Sequence, residues 1–319
     1  MGDDKKQYIL PMDVSKYPTK ENVVGDARNF IDEFIQASNS EMIYKSMGVN
    51  PDKSFLITGP PGNGKTLGIE ALVNEINKDV IEKYEQEPKG NHPFNLLAFK
   101  YDTGKYGTKY INEGSKIVQA FFDTCFTVAN AGYKTLVVFD EAETLFGHRS
   151  ESRNHKEDNK VLETIMKNMQ ILHDTDKMYS VMMSNFPEAF DKASIRSGRV
   201  DKRFVFNKPN LYEREFAYNH AVQQINEKAG YRVVRSYNPK HLAKISDGFS
   251  YADIAETVKA TVRQRAKEIS NTRKNKIIPA GYVTGGRLEK TIIKHRDAFK
   301  KVSRKNKIGF IWGAIWMKK

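Results

Sequence analysis

The chain has 319 residues, 39% hydrophobic and 11% aromatic, which is long enough for two packed units and too apolar for a disordered or fibrous protein. Its one cysteine, Cys125, excludes an internal disulfide framework and fits a reducing compartment. The net charge is +13, and no apolar run approaches the roughly 20 residues that span a bilayer.

The opening Met1-Gly-Asp-Asp-Lys-Lys6 lacks the apolar core of a signal peptide and, through Lys6, the myristoylation pattern. The expectation is a soluble, cytoplasmic protein without a transmembrane segment. Its charge is uneven. From Met1 to Asn210, 28 basic residues face 30 acidic ones; from Leu211 to Lys319, 24 face 9. The excess lies from Lys259 onward, where 18 basic residues face 3 acidic ones. Such a segment attracts phosphate backbones, anionic lipid or an acidic protein, or it is a solvated helix face.

Residues 1–22 are polar and read as an arm. Val23 to Lys45 has helical spacing through Phe30, Phe34 and, after a break, Met42. Ser54-Phe-Leu-Ile-Thr58 followed by Gly59-Pro-Pro-Gly62 reads as a buried strand ending in a tight loop. Ile69, Leu72, Val73 and Ile76 then mark one face of a helix. Asn95 to Phe99 and Thr135 to Phe139 are strand candidates. Leu162, Ile165, Met166 and Met169 repeat the helical stripe, and Tyr179 to Met183 is a further strand. This alternation predicts a parallel sheet with helices on its faces. It stops near Asn207-Lys-Pro-Asn210, after which the chain reads as helices, including Ala252 to Ile269 with Ile254, Val258, Val262 and Ala266 four apart.

Gly59-Pro-Pro-Gly-Asn-Gly-Lys-Thr66 is a full match to the phosphate-binding P-loop pattern, with a strand before it and a helix after it. Glycines let successive backbone N–H groups turn toward phosphate oxygens, and the helix N-terminus adds a favourable dipole. Lys65 brings a positive charge to the β- and γ-phosphates, and the Thr66 hydroxyl suits Mg²⁺. Leu136-Val-Val-Phe-Asp-Glu141 places two carboxylates at a strand's C-terminal edge, where α/β folds bind ligands. Asp140 suits the Mg²⁺ shell and Glu141 the polarising of a water. Asn185 ends another strand and suits orienting that water; Arg196 and Arg199 follow it. Read alone, these arginines are surface or salt-bridge residues.

Together these residues resemble the classical AAA family of ATPases, over about Val23 to Ile269. Val24-Gly25 before a helix is similar to the family's adenine-side segment, Gly59 to Thr66 to its Walker A and Phe139-Asp-Glu-Ala-Glu143 to its Walker B. Ser184-Asn-Phe-Pro-Glu-Ala-Phe-Asp191 with Ile195-Arg-Ser-Gly-Arg-Val-Asp201 resembles the second region of homology, and Asp247-Gly-Phe-Ser-Tyr-Ala-Asp-Ile254 the sensor-2 region of the lid. The resemblance implies an α/β P-loop NTPase domain (23–209), a small all-helical lid (210–275) and a basic C-terminal extension (276–319). It implies ATP and Mg²⁺ as ligands, with nucleotide contacts from Val24, Gly25, Pro61, Gly62, Asn63, Gly64, Lys65, Thr66, Leu67 and Ala252.

The same resemblance implies a homohexameric ring. Asn185 would be sensor 1, and Arg199 a finger acting on the neighbour's nucleotide. Where the family often has a second arginine this chain has Lys202, with Arg203 next to it, and lysine does not reproduce guanidinium geometry. Lys109-Tyr110-Ile111 falls at the family's central-pore loop, which grips an extended polypeptide; Asn112 stands where a glycine usually follows. The polar run from Gly147 to Asn159 reads as a second pore loop or a solvated connection.

Two functions follow as expectations. One is a remodeller that threads or disassembles a protein substrate, recruited directly or through an adaptor. The other is an ATPase on nucleic acid, bound sequence-tolerantly by a patch containing Lys300, Lys301, Arg304, Lys305 and Lys307. The apolar run Ile308 to Met317, with Trp312 and Trp316, suits docking within the ring, a partner or a lipid interface.

Overall fold

The computed structural model describes residues 11–13, 18–86, 94–101, 114–146, 155–186, 200–272 and 282–298. The chain divides into two compact units, Met1–Asn207 and Lys208–Lys319. In the first, α1 (Asp26–Asn39) and α2 (Glu41–Ser46) precede β1 (Ser54–Thr58) and α3 (Lys65–Gln86). Next come β2 (Leu96–Tyr101), α4 (Gly114–Asn130), β3 (Lys134–Phe139) and α5 (Glu143–Phe146). Then follow α6 (His155–Asp174), β4 (Met178–Ser184) and β5 (Lys202–Val205).

The five strands form one sheet in the order β2-β3-β4-β1-β5, every neighbouring pair parallel. Strand alternation divides the core in two. Phe55 and Ile57 pack with Phe30 and Phe34 of α1 and Leu72 and Val73 of α3. Leu56, Val137 and Phe139 pack with Phe121, Phe122 and Cys125 of α4 and Ile165 and Met169 of α6. Covering both faces is why β1 and β4 are buried along their whole length and read as unbroken apolar runs. Burial pushes the Cys125 thiol up to about 12, so it stays protonated and inert at neutral pH.

Met42 departs from the helical stripe expected over residues 23–45. The helix breaks at Ser40, and Met42 is 84% exposed. Glu41 turns inward in its place, accepting a 2.9 Å hydrogen bond from the buried Tyr179 hydroxyl and facing the Lys45 and Lys53 ammonium groups.

The second unit comprises α7 (Leu211–Ala229), β6 (Val234–Arg235), α8 (Pro239–Ile245), α9 (Tyr251–Thr272), β7 (Val283–Thr284) and α10 (285–298). It is helical except for the two-residue parallel pairing of β6 with β7, which the all-helical reading omits. Asn210 caps α7 reciprocally with Glu213, and Gly230 ends that helix at φ 72°. Arg214 is buried, donating to the carbonyls of Ala243 (2.9 Å) and Pro209 (2.8 Å) and pairing with Asp247 at 3.0 Å. Val283, Leu288 and Ile292 lie in the same core as Tyr218, Leu242, Ile254 and Val258. The core of the second unit therefore includes residues beyond 275. Among the described residues no helix is long and apolar enough to cross a membrane.

Candidate active site

The site is built at the C-terminal edge of the sheet, where β1 gives way to the loop from Gly59 to Gly64 and then to α3. Thr58 O accepts the Phe206 N–H at 2.7 Å, so the chain leaving β5 runs directly beneath the loop. Gly59 adopts φ 148°, and a Cβ there would lie 2.2 Å from Phe206 O. The same carbonyl accepts from Asn63 Nδ2 at 3.1 Å, fixing the loop's far end. Gly59→Ala must push this brace aside and strain the backbone; thermal unfolding should show a loss of about 1–3 kcal/mol. An unchanged melting temperature would mean that the loop gives way instead.

Lys65, the first residue of α3, is buried and donates three hydrogen bonds, to Gly59 O (2.7 Å), Pro60 O (3.0 Å) and Asn185 Oδ1 (2.7 Å). Burial lowers its pKa below the ordinary lysine range, opposed by the charges of Glu143 and Asp140. Asn185 follows the end of β4, and its backbone N–H points to Glu143 Oε1 at 3.4 Å. Glu143 Oε2 is buried and without a hydrogen-bond partner among the described residues. The P-loop cation is thereby linked to the expected sensor asparagine and to a carboxylate the sequence reading left without a role.

One strand further out, Asp140 follows the end of β3. Its Oδ1 accepts the Glu141 N–H at 3.0 Å and its Oδ2 accepts Lys100 Nζ at 2.7 Å. Glu141 is exposed and held at φ 50°, a left-handed conformation unusual for a non-glycine residue. Its carbonyl accepts both the backbone N–H and the hydroxyl of Thr144 at 2.9 Å, while Ala142 N donates to Met183 O at 2.8 Å. Asp140 and Glu141 thus leave the strand on a turn, the first carboxylate held by Lys100 and the second residue exposed.

Thr66 and Leu67 are exposed on the first turn of α3, and Pro61 and Gly62 are exposed in the loop. Among the described residues no three His, Cys, Asp or Glu side chains are grouped to hold a metal. The Thr66 hydroxyl and the Asp140 carboxylate are instead hard oxygen donors, which suits a small divalent cation that keeps its waters and leans on substrate phosphates. Val24 is half-buried and Gly25 precedes α1 at φ 62°. Asp26 accepts from Asn207 N at 2.8 Å, and an added Cβ on Gly68 would sit 3.4 Å from Ala27 Cβ. These contacts fasten the start of α1 against α3 beside the loop.

Lys202 goes elsewhere. On β5 it pairs with Glu33 of its own chain, and its ammonium lies 5.7 Å from the Phe204 ring centroid. Ala252 is the second residue of α9 in the other unit, exposed behind a reciprocal Ser250–Asp253 cap. Arg199, Lys109, Tyr110 and Ile111 lie outside the described residues, as do Gly147 to Asn154 and the chain from Lys300 onward. The site residues that the sequence reading missed are Glu143, Lys100 and Phe206. The first was visible as a third acid after Asp140-Glu141, and Lys100 as a lone charge inside an apolar strand; nothing local marked Phe206.

Residues 55–208 match the profile of the family described as the ATPase family associated with various cellular activities (AAA). The chain is 27% identical over 168 residues to an AAA ATPase forming ring-shaped complexes from Corynebacterium urealyticum, covering 53% of this chain and 30% of that protein. It is 23% identical over 257 residues to a proteasome-associated ATPase of a Nocardioides species, covering 80% and 40%. To spastin of Drosophila erecta it is 26% identical over 223 residues, covering 69% and 26%. The chain spans less than half the length of these relatives. The matched segment begins inside the strand that feeds the phosphate loop and ends past Phe206, which braces it. Over residues 55–208, this chain is thus similar to the AAA family of ATPases.

Proposed function

We propose that the chain hydrolyses ATP and uses the energy to remodel a protein. The observation that carries the first part is the linkage of Lys65 to Asn185 and Glu143, one strand away from the Asp140–Glu141 pair. In this reading the loop's backbone N–H groups and Lys65 hold the phosphates, and Lys65 exchanges one of its three bonds to do so. Thr66 and Asp140 would hold Mg²⁺, which when bound neutralises charge on the phosphate oxygens. Glu141 takes the proton of the attacking water, and Asn185 orients that water. Arg199 is assigned to the nucleotide of a neighbouring copy in a homohexamer. Lys202 is left out, because Glu33 and Phe204 already engage it on α1's side of the sheet.

The protein substrate is assigned through Lys109, Tyr110 and Ile111 as a gripping loop, and the ring-forming and proteasome-associated relatives support that direction. A second reading, nucleic acid as the partner, is favoured by the 18 basic against 3 acidic residues from Lys259 onward. The steady-state ATPase rate at fixed salt, with unfolded protein or with DNA, separates the two. Stimulation by unfolded protein that Tyr110→Ala removes is the expected result. Stimulation by DNA alone, lost when the chain is cut at Lys274, would overturn it in favour of the second reading.

A further inference from the structure

Lys100 is the one charged residue of β2, and it stands next to the buried Tyr101. The parallel register sets it beside Val138, two residues before Asp140, so strand alternation turns Lys100, Val138 and Asp140 to the same face of the sheet. That is the face covered by α3, the helix that begins with Lys65 and Thr66. The Lys100 ammonium reaches Asp140 Oδ2 at 2.7 Å, with both side chains about a third exposed at 36% and 27%. Asp140 meanwhile spends its other oxygen on the Glu141 N–H.

We propose that Lys100 sets how strongly nucleotide binding depends on the divalent cation, by holding the Asp140 carboxylate with its own positive charge. The proposal rests on the nucleotide-site reading above and assigns Lys100 as a positioning residue. Its logic is competition. A carboxylate already paired with an ammonium gives less to an incoming Mg²⁺, and the same pairing shields polyanionic phosphates from a bare carboxylate when no metal accompanies them. Lys100 therefore weakens the metal-bound complex and strengthens the metal-free one. Glu70 on α3 adds to the local charge: burial pushes its carboxyl above the ordinary range, and Lys100 opposes that shift.

The test is the ratio of two equilibrium affinities for a non-hydrolysable ATP analogue, measured by calorimetry on the full chain in EDTA and in saturating Mg²⁺. Lys100→Met should raise the ratio of dissociation constants (EDTA over Mg²⁺) roughly three- to tenfold, the range of a partly exposed ion pair. Both limbs should move, weaker in EDTA and tighter in Mg²⁺. Lys100→Arg keeps the pair and should stay within about twofold of wild type, and Lys100→Gln should follow Lys100→Met. In an Asp140→Asn background Lys100→Met should change nothing, because the partner is gone. An unchanged ratio in Lys100→Met, or an equal shift in the Asp140→Asn background, overturns the role of Lys100 while leaving the nucleotide site standing. Failure of the wild-type chain to bind the analogue in either condition overturns both.

Discussion

Glu141→Gln should leave ATP bound with near wild-type affinity and slow its hydrolysis by about 100- to 10,000-fold, the usual contribution of a general base. Glutamine keeps the length and polarity of the side chain and removes only the ability to take a proton. The backbone that aims it is held independently of the carboxylate, by Thr144 on the Glu141 carbonyl and by Asp140 on the Glu141 N–H. The groups proposed to hold phosphate lie in the loop after β1 and at the start of α3, two strands away in the order β3-β4-β1. A single-turnover assay beside an equilibrium titration separates the two effects. Near-normal turnover would remove Glu141 from the mechanism, and lost binding would mean that the turn had collapsed.

Lys65→Ala should cost at least about 100-fold in nucleotide affinity, because it deletes the one cation within the loop, where charge-assisted bonds to phosphate are strongest. The loss has a structural side as well. Gly59 O, Pro60 O and Asn185 Oδ1 all lose a donor; the buried Gly59 carbonyl left without one costs about 1–3 kcal/mol before relaxation, while Pro60 is exposed and Asn185 half-buried, so water can replace the lysine there. Against this, removing a desolvated ammonium relieves the burial that lowers its pKa. The expected balance is a protein that folds with slightly lowered stability and no longer holds ATP at micromolar concentrations. Calorimetric titration together with a melting curve checks both statements. Unchanged affinity would show that the lysine stays on its carbonyls when nucleotide arrives.

The parts of this fold that were readable from sequence are those whose period and chemistry act locally. Ser54 to Thr58 is a strand with the predicted bounds because five successive apolar or small residues are buried on both faces. Ile69, Leu72 and Val73 fall in the core because helical spacing alone determines which face they share. Strand β5 escaped because its four residues, Lys-Arg-Phe-Val, alternate only between half-buried and exposed at a sheet edge. Helix α4 carries a clear stripe through Val118, Phe121, Phe122 and Cys125, yet no motif drew notice to it. Lys100, Glu143 and Phe206 act through neighbours 40 or more positions away, such as Asp140, Asn185 and Asn63, and no local pattern encodes such pairings. The bury-or-expose choice between Glu41 and Met42 likewise depends on Tyr179, which lies 138 positions later.

The strand order also has a consequence for synthesis on the ribosome. Among the described strands β1 has β4 and β5 as its neighbours in the sheet, and its first strand partner, Ser180, lies 126 residues after Ser54. At translation rates of about 5–20 residues per second, Phe55, Leu56 and Ile57 emerge roughly 6–25 seconds before any strand can cover them. For that interval the nascent chain carries an unpaired strand with three successive large apolar residues, the kind of segment that promotes aggregation. A chain truncated before residue 202 keeps one edge of β1 open, because it has β4 but lacks β5. The strand that feeds the phosphate loop is therefore most exposed while the chain between it and β4 is still being translated.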